Sequence, residues 1–292
     1  MKRIVLWLGL FLCGYALWRA RALAGDAIAR VSPVGWICVC TLLMAIWVLA
    51  VFAWRQYLRA YMGQDPGWRA AMRQVGLLLV GKYVPGGVFG FLARMYDQPN
   101  VPRQRLFWAG LAEQAVGVSM PVALGGVLYM AATEVSLAWL WLIALLPLLA
   151  LLGVWSLHRC AGWLPWLRKH AVASGMPVWP RFLLAAVAQV AQLLAWVSLV
   201  FVLVHDLYGM DGFSALGVAG AFLLAVAAGM AVVLAPGGIG VREAALVGLA
   251  SHWLGTAQAI FMAALLRILS SLLDVFAGWV ATLSRSLEHR ND

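Results

Sequence analysis

Apolar residues in this chain fall into long continuous runs rather than alternating patterns. The runs cover about 3–18, 33–53, 74–92, 106–133, 136–157, 182–205, 213–250 and 256–283. A helix needs roughly 20 apolar residues to cross a bilayer. A membrane β-barrel would instead show segments of about ten residues with alternating polarity. The pattern therefore predicts an all-α polytopic membrane protein. Composition sharpens this: 64% of the 292 residues are hydrophobic, 11% are charged, and mean hydropathy is +0.90. A soluble fold of this size cannot hide so much apolar surface. Disorder requires the opposite composition.

The net charge is +10. Without a nucleic-acid-binding motif beside it, this charge points to basic cytoplasmic loops rather than to nucleic acid. Basic groups fall at Lys2/Arg3, Arg55–Arg73, Arg94–Arg105, Arg159–Arg181 and Arg285/Arg290. The loops at Thr133–Ser136 and His205–Asp211 are acidic or neutral. The positive-inside rule puts the basic groups, and both termini, in the cytoplasm. Arg19, Arg21 and Arg30 in the 19–32 loop break the pattern. Residues 1–24 resemble a signal peptide, but Arg19 and Arg21 sit where a neutral cleavage region is expected, so the segment is read as a first membrane helix. Trp18, Trp36, Trp54, Trp108, Trp139, Trp155, Trp179 and Trp279 lie near run ends and read as interfacial anchors.

This orientation has a consequence. With 55–73 and 94–105 both inside, the segment between them must enter and return on one side. It is predicted as a re-entrant hairpin over 74–97, turning at Pro85-Gly86-Gly87. By the same logic 213–250 is a hairpin entering from outside, turning at Pro236-Gly237-Gly238. The expected architecture is one transmembrane domain, 1–292, of about six full spans plus two re-entrant helical hairpins. It divides into an additional N-terminal helix (1–32), a first repeat (33–133), a connecting span with a basic cytoplasmic linker (134–181), and a second repeat (182–283). The halves run in opposite directions, which makes an inverted-topology repeat of the kind found in secondary transporters.

Backbone that turns at membrane depth must be buried in protein or face water. Pro suits a helix's first turn and Gly tolerates positive φ. The helices restarting near Gly87–Phe89 and Gly238–Gly240 would aim free N–H groups at the centre, as anion sites do. Charged residues accompany the turns: Lys82 and Arg94 at the first, Arg242 and Glu243 at the second, Arg267 and Asp274 on one face of the last span, and Glu113 after the first hairpin. Ionisable groups inside a span face a cavity or a partner. Internal pairing is the plainer alternative: Arg267 with Glu243 or Asp274, and Arg94 with Glu113. The sharper reading is an anionic, phosphate-bearing ligand held by Lys82, Arg94, Arg242, Arg267 and the two Pro-Gly-Gly turns. Glu113, Glu243 or Asp274 would then serve coupling or ion pairing.

Gln189 and Gln192 read as hydrogen-bonding between helices. His158, His205 and His252 read as isolated loop histidines, and Cys13, Cys38, Cys40 and Cys160 lack metal or redox spacing. No catalytic triad, phosphate-binding loop or dinucleotide fingerprint occurs. No metal, cofactor or catalytic residue is expected, and the chain is read as a non-enzyme.

Gly81-Lys82-Tyr83-Val84-Pro85-Gly86-Gly87-Val88 and Pro236-Gly237-Gly238-Ile239-Gly240-Val241-Arg242-Glu243-Ala244-Ala245 resemble the two signature segments of the lysylphosphatidylglycerol synthase transmembrane-region family, also called flippase-like. The resemblance covers about 5–285. It implies lipid translocation, with a substrate that varies among members, in the inner membrane of a bacterial cell beside envelope-biosynthesis enzymes. It carries Lys82, Pro85, Gly86, Gly87 and Arg94 from the first segment, and Pro236, Gly237, Gly238, Arg242 and Glu243 from the second. Synthase members continue into a soluble catalytic domain. This sequence stops nine residues after Leu283, so a stand-alone membrane region is expected. The expected substrate is an anionic lipid, either a polyprenyl-phosphate-linked sugar or a glycerophospholipid. The alternatives are a membrane-embedded transferase or accessory subunit acting on such lipids, and a small-anion transporter.

Overall fold

A computed structural model describes residues 29–83, 89–97, 102–133, 143, 145–160, 177–232 and 236–288. Among them are nine α-helices and no strand. They are α1 (Pro33–Met62), α2 (Gly67–Gly81), α3 (Phe89–Asp97), α4 (Arg103–Ala132), α5 (Leu146–Cys160), α6 (Trp179–Tyr208), α7 (Gly212–Ala231), α8 (Val241–Leu254) and α9 (Thr256–Glu288). Five are long and apolar enough to cross a membrane: α1, α4, α6, α7 and α9. The chain is an all-α polytopic membrane protein. The predicted first helix, the first Pro-Gly-Gly turn at 85–87 and the 161–176 part of the linker lie outside the described residues.

Local chemistry sets the helix ends. Ser32 caps α1, its Oγ accepting from Gly35 N at 2.9 Å, with Pro33 in the first turn. Gly63 ends it in the left-handed region (φ 72°). The helix therefore runs nine residues past the predicted apolar run. The basic stretch 55–73 is mostly helix: Arg55 and Arg59 end α1, Arg69 and Arg73 begin α2, and only 63–66 connect them. Aliphatic stems let these arginines ride on helices that outlast the hydrocarbon. His205 and His252 likewise occupy the last turns of α6 and α8 instead of loops.

Contacts sort the helix ends into two groups. At one end, Arg105 Nη1 donates to Met62 O (3.1 Å), Val178 N donates to Ala60 O (2.8 Å), and Arg73 pairs with Asp97 (2.8 Å). At the other, Ser32 Oγ donates to Asp206 (2.9 Å) and Trp253 packs on Tyr129. Helices α1 and α6 thus pair antiparallel along their length. The pair α2–α3 has its base at the first end, and α7–α8 has its base at the second.

Glycine makes both hairpins tight. A Cβ on Gly81 would lie 2.2 Å from the Gly90 Cα, and one on Gly238 would lie 2.9 Å from the Gly229 Cα. In each hairpin backbone meets backbone with no side chain between. The two long flanking helices each serve both hairpins. Helix α4 packs Gly110 under Phe91 of α3 and Gly125 against Gly220 and Leu223 of α7. Helix α9 packs Ala277 and Ala281 on Gly76 of α2, and its N-terminal half packs on α8.

Two of the expected interfacial tryptophans belong to the core. Trp54 and Trp108 are 1% and 0% exposed. Trp155, Trp179 and Trp279 are exposed, as anchors are. Position near the end of an apolar run misleads for Trp54 because α1 continues beyond it and buries its indole against α2 and α3.

Candidate functional site

Between α7 and α8 the chain turns at Pro236–Gly238, kinked at Gly237. Gly237, Gly238 and Gly240 all have positive φ (59°, 68° and 86°), which only glycine adopts without strain. Helix α8 restarts at Val241, with Arg242 and Glu243 in its first turn.

Lys82 and Tyr83, at the end of α2, reach this second turn. A Cβ on Gly237 would lie 3.6 Å from the Tyr83 ring and 3.4 Å from Arg267 Nη2. The end of α2 thus meets the second turn beside the middle of α9. Asp274 of α9 accepts from Lys82 Nζ at 2.7 Å and from the Tyr83 hydroxyl at 2.6 Å. That hydroxyl also lies 3.2 Å from Ser271 Oγ. One helical turn earlier, Arg267 Nη1 donates to Gly237 O at 3.0 Å and stands 3.6 Å from Glu243 Oε1. Arg267 and Asp274 are both buried.

Arg242 differs from the other two cations. Its guanidinium lies over the Phe222 ring, 4.8 Å from the centroid, and makes no ion pair with any described residue. Arg267, Glu243 and Asp274 all act on it electrostatically, and Lys82 in turn feels Arg242 and Arg267. Helix α8 offers fewer open N–H groups than expected, because Glu243 Oε2 already accepts from Gly240 N at 2.7 Å.

Arg94 and Glu113 stand apart from the tips. They pair with each other, and Arg94 Nε donates to Gln74 O at 2.8 Å, nearly two turns down α2 from Gly81. The guanidinium stacks 4.0 Å over Trp54 and is 2% exposed. Gln189 joins this network as an interhelical bridge, accepting from Tyr57 Oη (2.6 Å) and donating to Glu113 O (3.3 Å).

The structure therefore brings together Lys82, Gly237, Gly238, Arg242, Glu243, Arg267 and Asp274. It separates Arg94 and Glu113 into a second cluster. Pro236 opens the second turn, and Pro85, Gly86 and Gly87 lie outside the described residues. Sequence reasoning missed Tyr83 and Ser271. Tyr83 follows Lys82 directly, and Ser271 lies between Arg267 and Asp274 at helical spacing, which was the available signal.

A family model described as the lysylphosphatidylglycerol synthase transmembrane region matches residues 5–278. The chain belongs to that family. The match covers both Pro-Gly-Gly segments and every member of the tip cluster. No curated protein and no solved structure matches the chain significantly. For this member of the lysylphosphatidylglycerol synthase transmembrane-region family, the tip cluster is the candidate functional site.

Proposed function

We propose that this protein moves an anionic lipid between the leaflets of the membrane, holding the lipid phosphate between the two hairpin tips. The observation that carries this is the meeting of Lys82, Arg242 and Arg267 at one point reached by hairpins from opposite ends of the bundle. A half-buried cluster with more cations than carboxylates is costly in a membrane without an anionic partner. The arrangement fits two re-entrant hairpins in an inverted repeat, with the site near mid-membrane. Helices α2, α3 and α8, of 15, 9 and 14 residues, are shorter than a span, whereas α7, at 20, has a span's length. Arg242, which lacks an ion-pair partner among the described residues, is the first contact for the phosphate, and Lys82 the second. Rocking of the halves would open the site to each leaflet in turn. Arg94 and Glu113 brace the first hairpin and do not touch the ligand.

The test is headgroup accessibility in proteoliposomes carrying a fluorescent lipid in both leaflets, with a membrane-impermeant quencher outside. Transport predicts complete quenching where protein-free liposomes lose about half the signal. A small-anion transporter would leave quenching at half and take up radiolabelled phosphate. A transferase would yield a new lipid product from an added donor on thin-layer chromatography.

A further inference from the structure

The charges at the tips carry more than a general preference for anions. Five ionisable side chains of opposite sign are gathered there: Lys82, Arg242 and Arg267 against Glu243 and Asp274. They leave one net positive charge. The neighbouring segments 84–88 and 233–235 read Val-Pro-Gly-Gly-Val and Val-Leu-Ala, so neither adds a charge.

The two carboxylates are fixed in place. Asp274 is 3% exposed and is held by Lys82 Nζ at 2.7 Å and the Tyr83 hydroxyl at 2.6 Å. Glu243 is tied to its own helix start through Gly240 N at 2.7 Å, and faces Arg267. Neither can swing out to make room for a second negative charge without breaking those bonds. A ligand that neutralises the site therefore brings one negative charge. A second would stay uncompensated beside the buried Asp274 and the pinned Glu243, where unpaired charge is costly.

We propose that the tip site selects lipids whose headgroup is attached through a singly charged phosphodiester, and rejects phosphomonoester and diphosphate lipids, with Asp274 and Glu243 as the residues that set this preference. The inference rests on the transport reading above. A phosphodiester carries one negative charge at neutral pH, whereas a phosphomonoester carries about 1.5 to 2. Glycerophospholipids and glycosylated polyprenyl monophosphates share the phosphodiester, so the test separates these two sources.

The full-length protein in detergent micelles at pH 7.5 would be titrated with four probes in two tail-matched pairs. One pair is didecanoyl phosphatidylglycerol and didecanoyl phosphatidic acid. The other is citronellyl phosphoglucose and citronellyl diphosphate. The expected result is at least tenfold tighter binding of the phosphodiester in the pair that binds, and that pair identifies the lipid source. Asp274→Asn and Glu243→Gln each add one net positive charge and should shrink the preference at least threefold, by strengthening the more highly charged probe. Gln at 243 keeps an acceptor for Gly240 N, so this variant stands in should Asp274→Asn fail to fold. Equal binding within a pair, tighter binding of the monoester or diphosphate, or an unchanged preference in a folded variant would overturn the charge rule. Failure of the wild type to bind any of the four probes would overturn the transport reading beneath it.

Discussion

The Tyr83 hydroxyl donates to the Asp274 carboxylate at 2.6 Å and ties the end of α2 to the middle of the last helix. This bond keeps Asp274 oriented toward Lys82 and sets the Tyr83 ring against Gly237 of the other hairpin. Tyr83→Phe keeps the ring and removes the bond. The expected loss is about 1.5 kcal/mol, as for a hydrogen bond to a charged group. Thermal unfolding in detergent measures it, and Ser271→Ala, which keeps the Tyr83–Asp274 bond, should cost less.

The Arg94–Glu113 pair gives the opposite kind of prediction. Arg94 is 2% exposed, so Glu113→Ala strands a guanidinium beneath Trp54. Removing one partner of a buried pair costs about 3–5 kcal/mol. The melting temperature should fall sharply, while the lipid preference of surviving folded protein stays unchanged. A folded, stable Glu113→Ala protein with altered lipid preference would move this pair into the binding site.

Gly81 tests the closeness of the first hairpin. Gly81→Ala places a Cβ into the Gly90 backbone, which cannot yield as a flexible side chain would. A destabilisation of about 1–3 kcal/mol, or loss of monodisperse protein, is expected. Gly248→Ala in α8 is the control, since nothing lies within 4 Å of its Cβ position. There the better helix propensity of Ala should leave stability equal or slightly raised.

Outside the membrane, Asp65 joins α1 to α2. It accepts from Arg55 Nε at 2.8 Å and Gly67 N at 3.0 Å and pairs with Arg59 at 2.6 Å. The Arg55 hydrogen bond is the main reason its carboxyl is held below the usual range. A lowered folded-state pKa stabilises above the unfolded value near 4 and is lost as pH falls through the folded value. Amide-exchange protection around 63–67 should therefore be higher at pH 6 than at pH 3. Asp65→Asn should flatten that difference.

The all-α polytopic class was legible in the sequence because apolar run length acts over many residues at once. The second turn was legible because Pro-Gly-Gly dictates local backbone. The division of the cations was not. Lys82 and Arg94 flank the same Pro-Gly-Gly segment, and only packing shows that Lys82 reaches Asp274 while Arg94 is folded back against Gln74 and Trp54. Glu243 is similar: it is simultaneously a helix cap and a counter-charge, and sequence distance does not divide those roles. Tyr83 entered only as one letter of the first Pro-Gly-Gly segment, because nothing in local sequence shows that its hydroxyl meets a carboxylate 191 residues away.

The central claim is that lipid phosphate passes between the hairpin tips, and the most direct measurement is the quenching rate of a labelled phosphodiester lipid in proteoliposomes containing Lys82→Gln/Arg242→Gln protein. The account predicts complete quenching with wild type and at least a tenfold slower approach with the double variant, at matched incorporation and melting temperature. Equal rates for the two proteins would contradict it.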